Sequence, residues 1–392
     1  MKLLLITRHY PPPVTDGTVR YCQCLAEGLL SAGHHVVVLA GYSDRATYDG
    51  PFGVNRGFPV YRYRAVSNLK HRPESWRRFA RILETIAFEH EIDCLVIQHP
   101  YHAAAAAGAR EKLGCPVIFV THTIAAQRRL LRSLDPGYRH DIENEKRELE
   151  AILGADAVIC VSLAQKKDLI EIYGVAPERL HFIPTGVPPA AEIGVDPKLS
   201  QLAGIRSRGR YLVLYVGRES WEKGTDLLID IFERVEKVTD KAVFVIAGIS
   251  RERWHYYLLR PRTQVLPWLD SAQLALLYKL CHILIMPSRQ DSMPYVLLEA
   301  MANEVVPVVN NIDGLGEVVR HGYNGLKVEV RREPGRIRPD PTALAEAICF
   351  LTSNKSQLRM LGANAANTVK EDHSLTHQIM KFTEVAHRLI KH

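Results

Sequence analysis

The stretch 282–309 admits few folds. His282–Met286 and Val305–Val309 are apolar runs of strand length, apolar on both faces. Pro287 and Ser288 end the first run, a polar loop carrying Asp291 follows, and Tyr295–Asn303 is helical by composition. Strand, loop, helix and strand in that order make a parallel unit, and such units bind ligands at the carboxyl ends of their strands. Asp291 lies in the loop at that edge, and Glu299 follows about two helical turns on.

A second unit of the same kind precedes it. Tyr211–Val216 is an apolar strand that runs into Gly217, a short polar loop and a helix. Arg218 and Lys223 lie in that loop, and Gly224 permits a close turn before the helix. Two cations beside a helix N-terminus suit a diphosphate. Cations for a diphosphate and carboxylates for hydroxyls outline a nucleotide-sugar site.

These residues resemble the C-terminal half of a retaining glycosyltransferase of family 4. Gly217, Arg218, Lys223, Gly224, Glu299, Gly314 and Glu317 match its Gly-Arg, Lys-Gly, paired-glutamate and Gly-Gly-x-Pro-Glu motifs. Asp291 stands at the first glutamate, and Ser292, Met293 and Pro294 replace Gly-Phe-Gly. Asp313 replaces the first glycine of the later turn and Gly316 its proline. The resemblance implies an α/β chain of GT-B fold: two Rossmann-like doubly wound domains facing across a cleft. The expected domains are residues 1–200 for the acceptor and 201–373 for the donor, with a helix at 374–392 crossing back to the first.

Length supports two domains, since 392 residues exceed one ordinary core. A hydrophobic share of 47% with 24% charged residues excludes disordered and fibrous classes. The formal net charge of +7 suits an anionic substrate or membrane surface, or solubility alone. Seven cysteines occur without a CxxC pair, so neither a zinc knuckle nor a redox pair is expected, and they read as buried thiols. Cys22 and Cys24 are expected on different helix faces. No apolar run approaches a membrane span, and the opening MKLLLITRHY reads as a first strand rather than a signal peptide. The polar stretch Val195–Arg210 reads as the interdomain linker.

The N-terminal half opens as strand Leu3–Ile6, a proline-bearing loop, a helix from Gly17 to Ser31 and strand His35–Leu39. The loop resembles the family's Pro-Pro-x-x-Gly-Gly, with Asp16 at the first glycine, which brings Gly17 to the reaction centre. His122 ends the strand Pro116–Thr121, where such sheets place ligand contacts. It matches the family histidine that contacts the donor sugar, although Thr123 replaces the aspartate that usually follows. His99 and His9 occupy weaker positions of the same kind. The turn Pro184–Val187 is assigned a structural role.

The implied reaction moves a sugar from a nucleoside diphosphate to a glycan, lipid-linked or small-molecule acceptor, with retention. The catalytic set is His122, Arg218, Lys223 and Asp291. Donor contacts are Gly17, Gly217, Met293, Pro294, Tyr295, Val296, Leu298 and Glu299, and the base passes Leu266, Pro267 and Trp268. No cofactor or metal is expected, because no Asp-x-Asp occurs and two basic side chains can meet the diphosphate charge. No nucleic acid is expected as a partner. Basic segments with apolar neighbours, Leu69–Arg81 and Gln127–Arg132, suit equally a solvated helix face or a cytoplasmic protein that docks on an anionic inner leaflet. Other readings are a same-fold epimerase or phosphorylase, or a degenerate sugar-nucleotide-binding subunit. A dinucleotide dehydrogenase is disfavoured, because Gly-x-Gly-x-x-Gly is missing after the first strand.

Overall fold

The computed structural model describes residues 1–11, 16–42, 52–55, 57–64, 73–127, 142–190, 196–249, 257, 260, 262–334 and 336–391. The chain divides into two compact units, Met1–Thr185 with Leu375–His392, and Gly186–Ser374. Each has a twisted sheet of the doubly wound type at its centre.

In the first unit the strands are β1 (Lys2–Thr7), β2 (His35–Tyr42), β3 (Phe52–Asn55), β4 (Phe58–Arg64), β5 (Cys94–Ile97), β6 (Val117–Thr121), β7 (Ala157–Cys160) and β8 (Leu180–Phe182). Their order is β3-β4-β2-β1-β5-β6-β7-β8. All neighbours are parallel except the β3–β4 hairpin, an edge that periodicity did not announce. Leu3–Ile6, Val37–Ala40 and Ile118 are fully buried, as expected of strands covered on both faces. Helices α1 (Gly17–Ser31), α2 (Pro73–Glu89), α3 (Ala103–Leu113), α4 (Ile142–Gly154) and α5 (Leu163–Tyr173) connect them.

The C-terminal helix Leu375–Ile390 belongs to this unit and packs on α1, with Ile379, Phe382 and Ala386 buried. At their contact, a Cβ on Gly28 would lie 2.6 Å from Ile379 Cγ1, so the helices approach backbone to side chain. This layer makes α1 a buried helix: Cys22 and Cys24 are both buried, although they stand on different faces.

The second unit has β9 (Tyr211–Val216), β10 (Ala242–Ala247), β11 (Thr263–Leu266), β12 (Ile283–Met286), β13 (Val306–Asn310) and β14 (Leu326–Val328), in the order β11-β10-β9-β12-β13-β14. All are parallel, and Phe232 of helix α7 (Leu228–Val238) stacks on Phe244 in the core below. The residues read as a linker are not one. Ser200–Ser207 is helix α6, with Leu202 and Ile205 buried. Arg206 of α6 donates to the carbonyls of Lys279 and Leu280 at 3.0 and 2.7 Å. Only eight residues long and largely polar, α6 is invisible to periodicity, and its two apolar anchors tie it to the second unit.

Order β10-β9-β12 means that the chain leaves β9 to one side and resumes on the other. The crevice at such a reversal is where open parallel sheets hold ligands. The loops after β9 and β12 are the ones that carry Arg218, Lys223 and Asp291. In the first unit the reversal lies between β1 and β5, and His122 ends β6, one strand further on.

Candidate active site

After β9 the backbone turns at Gly217, and Ser220 caps the short turn Trp221–Lys223 by accepting from the Lys223 N–H at 3.3 Å. Gly224 follows with φ +68°, and a Cβ there would lie 2.1 Å from the carbonyl oxygen of Pro287. Any other residue would push the loops after β9 and β12 apart. With glycine they close, and Lys223 Nζ meets Asp291 Oδ2 at 2.6 Å. Ser288 Oγ also donates to that oxygen, at 3.4 Å, and Asp291 is only 8% exposed.

The loop before the next helix completes this edge. Asp313 starts α10 (Asp313–Val318) with φ +36°, a left-handed conformation that suits the glycine it replaces. Its Oδ2 accepts from the backbone N–H of Asp291 at 3.3 Å, so the substitution adds a bond that glycine lacks. A Cβ on Gly314 would lie 1.6 Å from the Ser292 carbonyl oxygen, which explains the glycine that was matched there.

Helix α9 (Tyr295–Ala302) begins after Pro294, with no side chain capping it. Met293, Tyr295 and Leu298 are buried, while Val296 and Glu299 are half-buried. Leu298, at 0% exposure, is a core residue, so its side chain supports the helix and any donor contact falls to the backbone. Glu299 Oε2 accepts from the Tyr278 hydroxyl at 3.3 Å. Arg218 stands apart, 68% exposed, with Glu222 only within a loose 3.8 Å. Beyond β11, Pro267 and Trp268 are exposed, and Asp270 starts α8 (Ser271–Leu280) with a capping box to Gln273.

The residues assigned to the first unit are less charged. Gly17 is the first residue of α1 and faces open space. Asp16, which replaces a family glycine, caps α1 by accepting from the N–H groups of Thr18 and Val19 at 2.9 and 3.1 Å. The His122 ring lies edge-on to Tyr21, centroids 4.7 Å apart, and its buried Nε2 has no hydrogen-bond partner. Burial holds His122 neutral, pushing it down to about 4. His99 stacks on Tyr101 at 4.7 Å and is held well below the usual histidine range by burial. Its Nδ1 accepts from the Tyr101 N–H at 3.3 Å.

Two expectations need correction or limits. Phe79, read as part of a basic surface for membranes, is 4% exposed and lies in the first unit's core. Leu83 and Ile86, at helical spacing from it, are buried on the same face, and Arg77, Arg78 and Arg81 are exposed on the other side of the helix. Residues 128–132 and 69–72, with Lys70, Arg72, Arg128, Arg129 and Arg132, lie outside the described residues, as do Arg251, Arg253 and Trp254. No described helix is long and apolar enough to cross a membrane, and the described residues contain no group of three or more side chains placed to hold a metal.

Arg289 was missed by sequence reasoning. It is 8% exposed, pairs with Asp226 through two bonds of 2.7 Å, and donates to the Trp221 carbonyl at 2.7 Å. Its partners are more than 60 residues away in sequence, so no local pattern could mark it.

Comparison with known proteins agrees with this architecture. Residues 203–368 match the model of glycosyl transferases group 1, and residues 15–191 that of glycosyltransferase family 4. An uncharacterized glycosyltransferase of Methanocaldococcus jannaschii is 27% identical over 345 residues, covering 84% of this chain and 85% of that protein. Sucrose-phosphate synthase from Thermosynechococcus elongatus superposes with a TM-score of 0.84 at 19% identity, covering both chains fully, 100% of each. HepE of Anabaena, solved with UDP and glucose, superposes at 0.73 with 17% identity over 98% of this chain and 99% of that one.

Proposed function

Because the chain belongs to the group 1, family 4 glycosyltransferases and has their GT-B fold, we propose that it uses the β9–β12 edge to hold a nucleoside-diphosphate hexose and passes the sugar to an acceptor without a metal. The observation that carries this reading is the Lys223–Asp291 pair, 2.6 Å long and set at the reversal of the parallel sheet. Lys223 and Arg218 supply positive charge for the departing diphosphate. Pre-placed cations stabilise developing charge without reorganising water at the moment of reaction. Lys223 leaves Asp291 for the diphosphate, and Asp291, freed, accepts from sugar hydroxyls. Glu299 accepts from the ribose hydroxyls.

Gly217, Met293, Pro294, Tyr295 and Val296 bound the donor on the helix side, and Leu266, Pro267 and Trp268 pass the base. In the first unit Gly17 has open space around it, and His122, held neutral, can offer a hydrogen bond without adding charge. Retention, with the acceptor attacking from the face that the diphosphate leaves, follows from family membership.

HepE, captured with UDP and glucose, makes UDP-glucose the first donor to try. A glycan, lipid-linked or small-molecule acceptor suits this chemistry, and the exposed Arg77, Arg78 and Arg81 favour one that is anionic or presented at an anionic surface. The test is thermal unfolding with UDP-, ADP- and GDP-sugars, since a ligand bound only by the folded state raises the melting temperature. Stabilisation by one of them, with slow release of its sugar to water, is the expected result. Absence of stabilisation by every nucleotide sugar at millimolar concentration would overturn the donor site.

A further inference from the structure

We propose that Arg289 is a positioning residue that holds the Lys223 loop in register with the Asp291 loop. The proposal rests on the donor-site reading above. Arg289 lies two residues before Asp291, at the carboxyl end of β12. Its two Nη atoms reach the two carboxylate oxygens of Asp226 at 2.7 Å each. The same Nη1 donates to the Trp221 carbonyl at 2.7 Å, and its guanidinium carbon stands 4.6 Å from the centre of the Trp221 ring. The Arg289 backbone N–H donates to the Glu222 carbonyl at 2.8 Å. Trp221 and Asp226 bracket Lys223 and Gly224, so one side chain ties down both sides of the turn that presents Lys223.

The physical need for such a clamp lies in the partner exchange of Lys223. Lys223 is bonded to Asp291 in the structure, and this pair itself holds the two loops together. When a diphosphate takes the ammonium, that bond is given up at the step when the loop must stay in place. A lysine has a long, freely rotating stem, so its ammonium position is only as well defined as its backbone. The Arg289 bonds do not involve the reacting groups and therefore persist through the exchange. Only a planar fork reproduces two parallel bonds to one carboxylate while its face rests on an aromatic ring, so lysine cannot replace Arg289. Asp226 is half exposed, at 47% of its side chain, so the pair holds geometry more than it fills the core.

The test compares Arg289→Lys, Arg289→Gln and Asp226→Asn, each alone and with Lys223→Ala, in release of glucose from UDP-glucose. Misplacing a catalytic group by about 1 Å can cost up to about 100-fold in rate. Arg289→Lys and Asp226→Asn should therefore lower kcat about 10- to 100-fold, with donor KM changed less than about threefold, because the loss falls on the departing charge. In the Lys223→Ala background, Arg289→Gln should cause little further loss, since a residue that acts through Lys223 has nothing left to place. Thermal unfolding checks the fold of each variant, and Asp226→Asn, partly exposed, tests the clamp if the arginine variants do not fold. An equal loss with and without Lys223, or a kcat unchanged in folded Asp226→Asn and Arg289→Lys, overturns the clamp. If Lys223→Ala alone keeps near-normal turnover, the donor-site reading has failed and the clamp falls with it.

Discussion

At the carboxyl ends of β9 and β12, charges are brought into contact: Lys223 on Asp291 and Arg289 on Asp226, with Asp313 capping the Asp291 amide. At the carboxyl ends of β1, β5 and β6, the first unit instead gathers histidines held neutral beside Arg8, whose guanidinium stands over the Tyr101 ring. His99 and His122 are neutral by burial, and Asp16 spends its carboxylate on a helix cap. Both edges come from the same parallel topology. They differ in how close the loops approach: Gly224 and Gly314 let backbone touch backbone, while Gly17 faces open space. A closed edge can hold a charged pair against solvent, whereas an open one with buried rings offers neutral hydrogen bonds.

The largest effect should come from breaking the charged edge. Lys223→Ala is expected to lower donor turnover by about 10²–10³, the usual cost of removing one pre-placed electrostatic donor. Steady-state release of glucose from UDP-glucose measures it, and Arg218→Ala should act in the same direction. Gly224→Ala attacks closure itself. A left-handed backbone costs a non-glycine residue about 1–2 kcal/mol, and the contact with Pro287 adds to it. We expect a destabilisation of about 2 kcal/mol or more in urea unfolding, together with loss of donor binding; an unchanged midpoint would mean that the loops are not held apart by one methyl group.

The neutral edge should respond less. His122→Ala is expected to cost about tenfold in turnover, in keeping with the ~0.5–1.5 kcal/mol of a neutral hydrogen bond, and a loss as large as that of Lys223→Ala would erase the contrast. Its signature is sharper in pH. The folded His122 titrates at about 4, below its ordinary 6.5, so between these values the unfolded chain binds a proton that the folded chain does not. Stability therefore falls as pH drops from 6.5 towards 4, and each tenfold difference in proton affinity is worth about 1.4 kcal/mol. His282, also pushed down to about 4 by burial, adds to the same slope. His122→Gln should flatten part of the slope in thermal unfolding at pH 4.5–6.5. Gly17→Ala should change least: the site has open space at the first turn of α1, so the melting temperature should move by less than a few degrees.

Much of this protein was legible from residue order alone. Buried parallel strands announce themselves as short apolar runs, and the strand Tyr211–Val216 and the helix Gly17–Ser31 were bounded to the residue, because a glycine signal follows each. Gly-Arg, Lys-Gly and the spaced carboxylates pointed to the family, since backbone turns and charges at fixed intervals are local properties. What periodicity could not carry were elements held by distant anchors, such as α6 and the edge hairpin β3–β4, and the split of the units at Thr185 and Gly186. Nor could it show that Phe79 faces the core while its arginine neighbours face outward, or that Asp16 caps a helix and Asp313 caps an amide. Above all, Lys223 with Asp291 and Arg289 with Asp226 are pairs separated by 68 and 63 residues. Charge types are written along the chain, but which charge meets which is decided by the strand order that brings β9 beside β12, and by a glycine small enough to let their loops touch.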